Sequence, residues 1–393
     1  MSEIKVNSIK GVGASTAAIT VNNSDGTCTA NITNKPNRNL IINGAMQVAQ
    51  RGTSSTDPTY ATVDRFLNGR SGLDESPTQA QHVLTATDDA SPYSEGFRFS
   101  YHITNGNQTS GAGADDNITI RHSIEAQDMA NSGWNYTSTS SYVTLQFWVK
   151  SSVAQNFYFV VKTVDGTAQQ FVMETGVLSA NSWTKITKTI SGNSNLQFDN
   201  NSERGVDIVW SMFRGTNRTN NSVSLNTWEA FDNAAQHKDS TTTWYTTNDA
   251  TFEITGVQLE VSDHASDFQF KSFAEELFAC QRYYQRYQHS TFRGFTFVGR
   301  KSGSNTVVGS IYGFLPMRTA ATGTVSTAGA YRLFRTTDGS THTSSSVIVT
   351  HENFEPFNVL KFTVGSAGVF STGNLCIMFN AGGAGDLQLD AEL

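Results

Sequence analysis

The chain has 393 residues, above the ~250–300 at which a single core stops growing, so at least two domains are expected. Hydrophobic residues make up 37% and charged residues 16%, a mixture suited to short strands and tight turns, while 25 Phe, 12 Tyr and 6 Trp exclude a disordered chain. The net charge of −7 argues against a general phosphate-binding surface.

Three cysteines, Cys28, Cys280 and Cys376, are too scattered for a disulfide framework or a metal cluster. They are expected to be reduced thiols of a protein assembled inside a cell. The opening residues MSEIKVNSIK carry charges where a signal peptide has its apolar core, and no run reaches the ~18 apolar residues of a membrane span.

Residues 1–36 read as a separate leader, in which Ile4 and Val6 alternate with Lys5 and Asn7, with Ile9 following. Ala18–Val21 faces Cys28–Ile32 across an Asp25–Gly26 turn, a hairpin signal. An isolated hairpin is marginal in water, so the leader must pair with copies of itself or dock on a partner.

Residues 37–265 have the pattern of a β-sandwich. Phe97, Phe99, Tyr101 and Ile103 share one strand face, as do Ile118, Ile120 and Ile124, then Val143, Leu145, Phe147 and Val149. Phe157, Phe159 and Val161 follow, then Val206, Ile208, Trp210 and Met212. A two-residue period over many runs predicts antiparallel sheets packed face to face. Thr251–Val261 changes phase at Gly256, which predicts a bulge there.

Residues 266–290 are expected to form a connecting amphipathic helix. Phe270, Phe273, Leu277, Cys280, Tyr284 and Tyr287 recur at alternating intervals of three and four, a seam that suits packing along other helices, including copies of itself. Ser272 and Glu275 make a capping box, so the helix should start near Phe273 and run about four turns. Residues 291–393 then form a C-terminal β domain, with Phe292–Val298 and Thr306–Leu315 as hairpin partners and further strands at Val347–Val349, Val359–Val364, Leu375–Phe379 and Leu387–Leu389.

Four segments resemble, in order, the tail fibre proteins of bacteriophages, especially marine and cyanobacterial ones. They are Asn39–Gly52 with Val63–Phe66, Ile254–Glu260 leading into the helix, Gly313–Ser326, and Leu387–Leu393; the opening MSEIKVNSI is similar as well. The resemblance implies an all-β fold, with a jelly-roll-like sandwich of the carbohydrate-binding-module kind and a C-terminal β domain, in a homotrimer. It implies a virion fibre, assembled in the host cytoplasm, that docks on tail nozzle or adaptor proteins through its N-terminus, with Ile4, Val6 and Ile9 as the attachment residues. The C-terminal domain would meet a host-surface glycan or protein. His264–Asp267 departs from the small residue and proline usual there in this family.

No catalytic motif occurs: no G-x-S-x-G, H-E-x-x-H, P-loop or paired C-x-x-C. The expectation is a non-enzymatic protein needing no cofactor or metal, without nucleic-acid binding or membrane insertion. Asp74–Glu75, Asp88–Asp89 and Asp115–Asp116 read as solvated loop charge. A depolymerase would need two carboxylates roughly 5–9.5 Å apart, supplied by distant loops; Asp115–Asp116–Asn117 is the alternative calcium reading. Arginines and aromatics alternate over Arg282–Lys301, which reads as core packing with an arginine rim. Trp134, Tyr136, Trp228, Trp244 and Tyr245, in polar surroundings, suit either the core or a sugar. The polar run 330–352, with Tyr331, Arg335, His342 and His351, is the expected receptor-binding tip. The rivals are a tailspike-like polysaccharide depolymerase and a purely structural fibre, adaptor or capsid appendage.

Overall fold

The computed structural model describes residues 6–12, 17–21, 24, 28–30, 38–288, 296–302, 306–311, 315–325, 331–335, 341–343, 347–354, 357–364, 372–373, 375–380 and 386–393. Three short strands come first, β1 (Ser8–Ile9), β2 (Ile19–Val21) and β3 (Cys28–Ala30), in that order across one sheet. β2 and β3 pair antiparallel, with Ile19 opposite Ala30 and Val21 opposite Cys28, as the alternation predicts. Val6 and Ile9 are about half exposed, while Ile4 lies outside the described residues.

Twelve strands follow: β4 (Ser54–Ser55), β5 (Phe66–Ser71), β6 (Thr78–Val83), β7 (Phe99–Thr104), β8 (Asn117–Glu125), β9 (Tyr142–Ser151), β10 (Asn156–Thr163), β11 (Gln169–Val177), β12 (Thr184–Ser191), β13 (Arg204–Arg214), β14 (Trp228–Ala230) and β15 (Thr251–Glu260). They form two six-stranded sheets, in the orders β12-β9-β15-β7-β6-β4 and β14-β11-β10-β13-β8-β5. The inward rows predicted by the period of two meet in one core. Tyr101, Leu145, Phe147 and Ile254 come from the first sheet, and Ile118, Phe159, Ile208 and Trp210 from the second. Phe147 meets Phe159 and Trp210 edge-on at 5.1 and 5.6 Å. The expected bulge is present: pairing of β15 with β9 shifts between Thr255 and Gln258, and Gly256 has φ +64°. A Cβ at Gly256 would also lie 2.7 Å from the Phe97 ring, so glycine is required twice over.

Short helices α1 (Ala90–Ser94), α2 (Ala126–Ala130) and α3 (Thr243–Thr246) lie within loops of the sandwich, and α4 (Phe273–Gln281) follows it. The capping box of Ser272 and Glu275 forms as expected. The four-turn seam does not. The helix has nine residues, and Tyr284 and Tyr287 stand on a strand, β16 (Tyr284–Gln288). Tyrosine is a good strand former although the three-residue spacing of Tyr284 and Tyr287 is not a strand period, and a partner strand decides the matter. Within the expected seam Phe270 and Phe273 are 47% and 56% exposed, Leu277 is half-buried, and Cys280 is buried beside Glu276.

The remaining strands are β17 (Thr296–Lys301), β18 (Thr306–Ile311), β19 (Thr322–Val325), β20 (Tyr331–Arg335), β21 (Thr341–Thr343), β22 (Val347–Phe354), β23 (Phe357–Val364), β24 (Leu375–Asn380) and β25 (Asp386–Asp390). With β16 they make a ten-stranded sheet, in the order β16-β25-β19-β22-β23-β18-β17-β24-β20-β21. β17 and β18 are the predicted hairpin, with Phe297 opposite Ile311. The polar run around 330–352 supplies β20, β21 and the first part of β22.

Candidate functional site: the joint between the β units and its cleft

The segment 39–52 has little regular structure, yet none of its residues is exposed. Asparagine side chains take over the backbone pairing that a strand would supply. Asn39 accepts from the amides of Ile41 and Leu259 at 3.0 and 3.1 Å and donates to the Val257 carbonyl. Asn43, at φ +62°, donates through its side chain to the carbonyls of Val48 and Asp64 and accepts from the Val48 amide. Its own amide donates to the buried Glu276 carboxylate on α4 at 2.8 Å. This ties the helix to the sandwich.

Arginines complete the connection. Arg51 lies 3.6 Å over the Tyr284 ring and pairs with Asp390 at 2.8 Å and Glu392 at 3.3 Å. Arg65 is fully enclosed, lies 3.4 Å over the Tyr283 ring, pairs with Glu392 and donates to the Ser123 carbonyl. Its φ of +71° is costly for a residue that carries a Cβ and persists because these contacts hold it. Arg282 grips Glu125 through two nitrogens at 2.7 and 2.9 Å, and the Tyr283 hydroxyl donates to the same carboxylate at 2.6 Å. Arg318 donates to the carbonyls of Ala391, Glu392 and Ser202, bridging C-terminal and sandwich residues. Of the segment Arg282–Lys301, expected to be packed rings with an arginine rim, Tyr283 and Tyr284 are buried rings and Arg282 and Arg286 are half-buried beside them, while Arg51 and the enclosed Arg65 lie over the two rings; Phe292 and Arg293 lie outside the described residues.

Burial and charge compete here. Burial pushes Asp64 up to about 6 although Arg51 pulls the other way. Burial, the largest single effect, would lower Arg65, but Glu392 together with Tyr283 and Tyr60 more than offsets it and the guanidinium stays charged. Burial raises Tyr284 to about 12, opposed by Arg51 and Arg286.

Beside the joint lies a cleft of about 730 Å³. One wall is Arg51 and the loop from Ser54 to Ala61; the other is Tyr284, residues 318–324 and the stretch from Gln388 to Glu392. Hydroxyls of Ser54, Ser55, Thr59, Thr322 and Thr324 face the Gln388 amide, the Asp57 and Asp390 carboxylates and the Tyr60 ring. Donors and acceptors in this mixture match a polyhydroxylated ligand better than an apolar one. Glu392 is held by two guanidinium groups, so it is engaged as a structural anion.

A second polar cluster lies on the outer face of the first sheet. His82 Nδ1 is 3.0 Å from Glu253, His102 Nδ1 is 3.3 Å from it without hydrogen-bond alignment, and the three ligating atoms lie within 4.8 Å of one another. Two imidazoles and a carboxylate are a donor set for a transition metal. The Lys150 ammonium, however, sits 3.0 Å from Glu253 and 2.7 Å from Asp89, and Ser100 donates to Glu253 at 2.6 Å. The carboxylate is thus already loaded with positive partners. Burial raises Glu253, but the neighbouring His102, the hydrogen bond from His82 and the Lys150 charge bring it well below the usual range.

The expected receptor-binding residues fall in two places. Tyr331 and Arg335 begin and end β20, and His342 on β21 is opposite Leu333; His351 lies on β22, opposite Leu360 and five places away from β20 in the sheet order. The sheet order brings three of them together and separates the fourth. Of the carboxylates read as solvated, Asp74, Glu75, Asp88 and Asp115 are exposed as expected, and Asp89 and Asp116 are not. Asp89 is enclosed and holds Lys150 and the Trp183 indole, and Asp116 accepts from the Gly113 amide and the Tyr245 hydroxyl, which leaves it committed within the protein. Trp134, Trp244 and Tyr245 are core residues, Tyr136 packs against Phe198, and Trp228 packs on Phe171. Spacing could not find the cleft, because its walls come from residues about 230 to 340 positions apart, as Gln50–Tyr284 and Arg51–Glu392 illustrate.

No protein-family model and no curated protein matches the chain. Among solved structures, it resembles one described as CBM4 at 12% identity, covering 42% of this chain and 71% of that one, with a TM-score of 0.23. A family 11 carbohydrate-binding module of a Clostridium thermocellum cellulase matches at 10% identity, 54% and 96% coverage and a TM-score of 0.26. The enzymatically active domain of bacteriophage CBA120 tailspike protein 4 matches at 10% identity, 58% and 22% coverage and a TM-score of 0.31. At these scores the likenesses carry no functional argument, and function rests on the residues themselves.

Proposed function

We propose that the protein is a non-enzymatic, homotrimeric fibre subunit of a bacteriophage virion that adheres to a glycan on the host surface. One observation carries the reading: the segments that resemble phage tail fibres converge on the joint. Asn39–Gly52, Arg65, Val257–Leu259, Arg318 and Ala391–Glu392 are distant in sequence, and all bond to one another or to the helix and strand between the β units. A fibre needs rigidity of this kind, so that force at a far surface reaches the particle. Beside the joint, the polar cleft offers hydroxyl, amide and carboxylate groups to sugar hydroxyls. Three copies on one fibre would turn weak single contacts into firm attachment. Phe270, Phe273 and Phe278, 47%, 56% and 63% exposed, are the apolar surface on which copies would pack.

The test is binding of purified protein to host polysaccharide, with reducing ends assayed in parallel. Retention without release of reducing ends, weakened by Gln388→Ala with Thr322→Ala, is the expected result. Turnover that survives purification would move the protein to the depolymerases, and undiminished binding by the double variant would remove the cleft from the reading.

A further inference from the structure

The second sheet of the sandwich carries a cationic site on its outer face that the joint and the cleft do not use. Arg214 ends β13, and Arg218 ends the 3-10 turn Thr216–Arg218 that follows. Arg214 is only 8% exposed, and its sole side-chain bond is from Nε to the Ser211 hydroxyl at 3.1 Å; no carboxylate pairs with it among the described residues. Arg218 Nε is buried and has no partner either. Enclosed guanidinium groups without an anion are costly, and folded proteins normally pair them.

The nearby carboxylates are all committed elsewhere. Asp239 accepts from Thr219 and Asn221, Asp116 from Gly113 and Tyr245, and Asp115 from Asn217. Two hydroxyls adjoin Arg214 as acceptors: Ser211 takes its Nε–H and Ser240 takes its amide at 3.1 Å. Each keeps a proton to donate. The wall is completed by His237, stacked on Tyr158 at 5.1 Å, its Nδ1 held against the Lys238 carbonyl. Burial, and then the charge of Arg218, lower Arg214 to about 10; burial and Arg214 lower His237 to about 3, so the imidazole stays neutral.

We propose that Arg214 and Arg218, with the hydroxyls of Ser211 and Ser240, form an oxyanion site that takes a sulfate or carboxylate group, either as a free ion or as a substituent of an acidic polysaccharide. Two forked donors suit such groups because several N–H bonds converge on one anion. The site stands apart from the cleft and does not depend on the adhesion reading.

The test compares the full chain with Arg214→Met and Arg218→Gln. Thermal midpoints are measured in sodium sulfate and in sodium chloride of equal ionic strength, and retention is measured on dextran sulfate and on neutral dextran. The full chain should gain about 1.5 °C for each tenfold rise in free sulfate above Kd, with no matching gain in chloride. Both variants should lose that gain, and Arg214→Met should melt no lower than the parent without sulfate, since it removes an unpaired buried charge. Arg218 is half-buried, so Arg218→Gln keeps the test valid if Arg214→Met does not fold. Retention on dextran sulfate that both variants lose identifies a polysaccharide substituent, and sulfate stabilisation without retention identifies a free ion. An equal sulfate response in all three proteins, or none in the parent, overturns the proposal.

Discussion

At the residue scale, charges in this molecule do more structural work than their modest number suggests. Glu392 neutralises Arg51 and Arg65 together, and Arg65 is fully enclosed. Removing one member of a buried pair leaves the other uncompensated, so Glu392→Ala should cost about 3 kcal/mol or more, read from denaturant unfolding. Glu392→Gln, which keeps the shape, should recover part of it; equal stability of all three proteins would show that the pair is not needed. The His82–Glu253 contact gives a pH signature. The hydrogen bond that His82 donates to Glu253 is the largest effect on its imidazole and raises it above its ordinary value, against burial. A raised histidine contributes stability that is complete below about pH 6.5 and is lost as pH rises through the folded value. His82→Gln should therefore lower the melting temperature at about pH 6 and change it little at about pH 9. A difference that grows with pH would have the opposite sign and refute the contact.

At the scale of elements, α4 shows how a correct local signal can carry a wrong extent. The capping box spans about one turn of backbone and was legible in the residues Ser272 and Glu275. Ser272→Ala should cost about 1 kcal/mol and fray the helix, detectable by faster amide exchange at Glu275 and Glu276. The three-and-four spacing continued past Gln281, but the chain there becomes β16, because β25 offers it a partner with Tyr284 opposite Asp390. Periodicity alone does not see that partner. The phenylalanines left outside carry the proposed trimer contact: Phe278→Asp should shift the mass in analytical ultracentrifugation from trimer to monomer. A trimer unchanged by that substitution places the contact elsewhere. β15 is the converse case. Its phase change and Gly256 announced the bulge, since both marks lie within one strand.

At the scale of the whole molecule, the C-terminal strand is shared between the two β units. β25 belongs to the ten-stranded sheet, while the residues that follow it fasten to Arg51, Arg65 and Arg318. Deleting residues 291–393 should end host adsorption, measured as free virions remaining after mixing with cells, and should also lower the stability of the sandwich because Arg65 loses its anion. A deletion confined to 331–343, the end of the sheet bearing β20 and β21, separates the two effects: it should reduce adsorption only if that edge touches the host.

The amino-acid order by itself determined the all-β class, the inward rows of the longer sandwich strands such as β8, β9 and β13, and the bulge. These follow from a period of two and from glycine, and both act over a few residues. Tertiary structure alone decided that asparagines and arginines from segments hundreds of positions apart build a joint, that Asp89 and Asp116 are anchors, and that Arg214 is enclosed with no carboxylate paired to it among the described residues. Whether a polar group is solvated or buried depends on what packs over it, and neighbours along the chain do not carry that information.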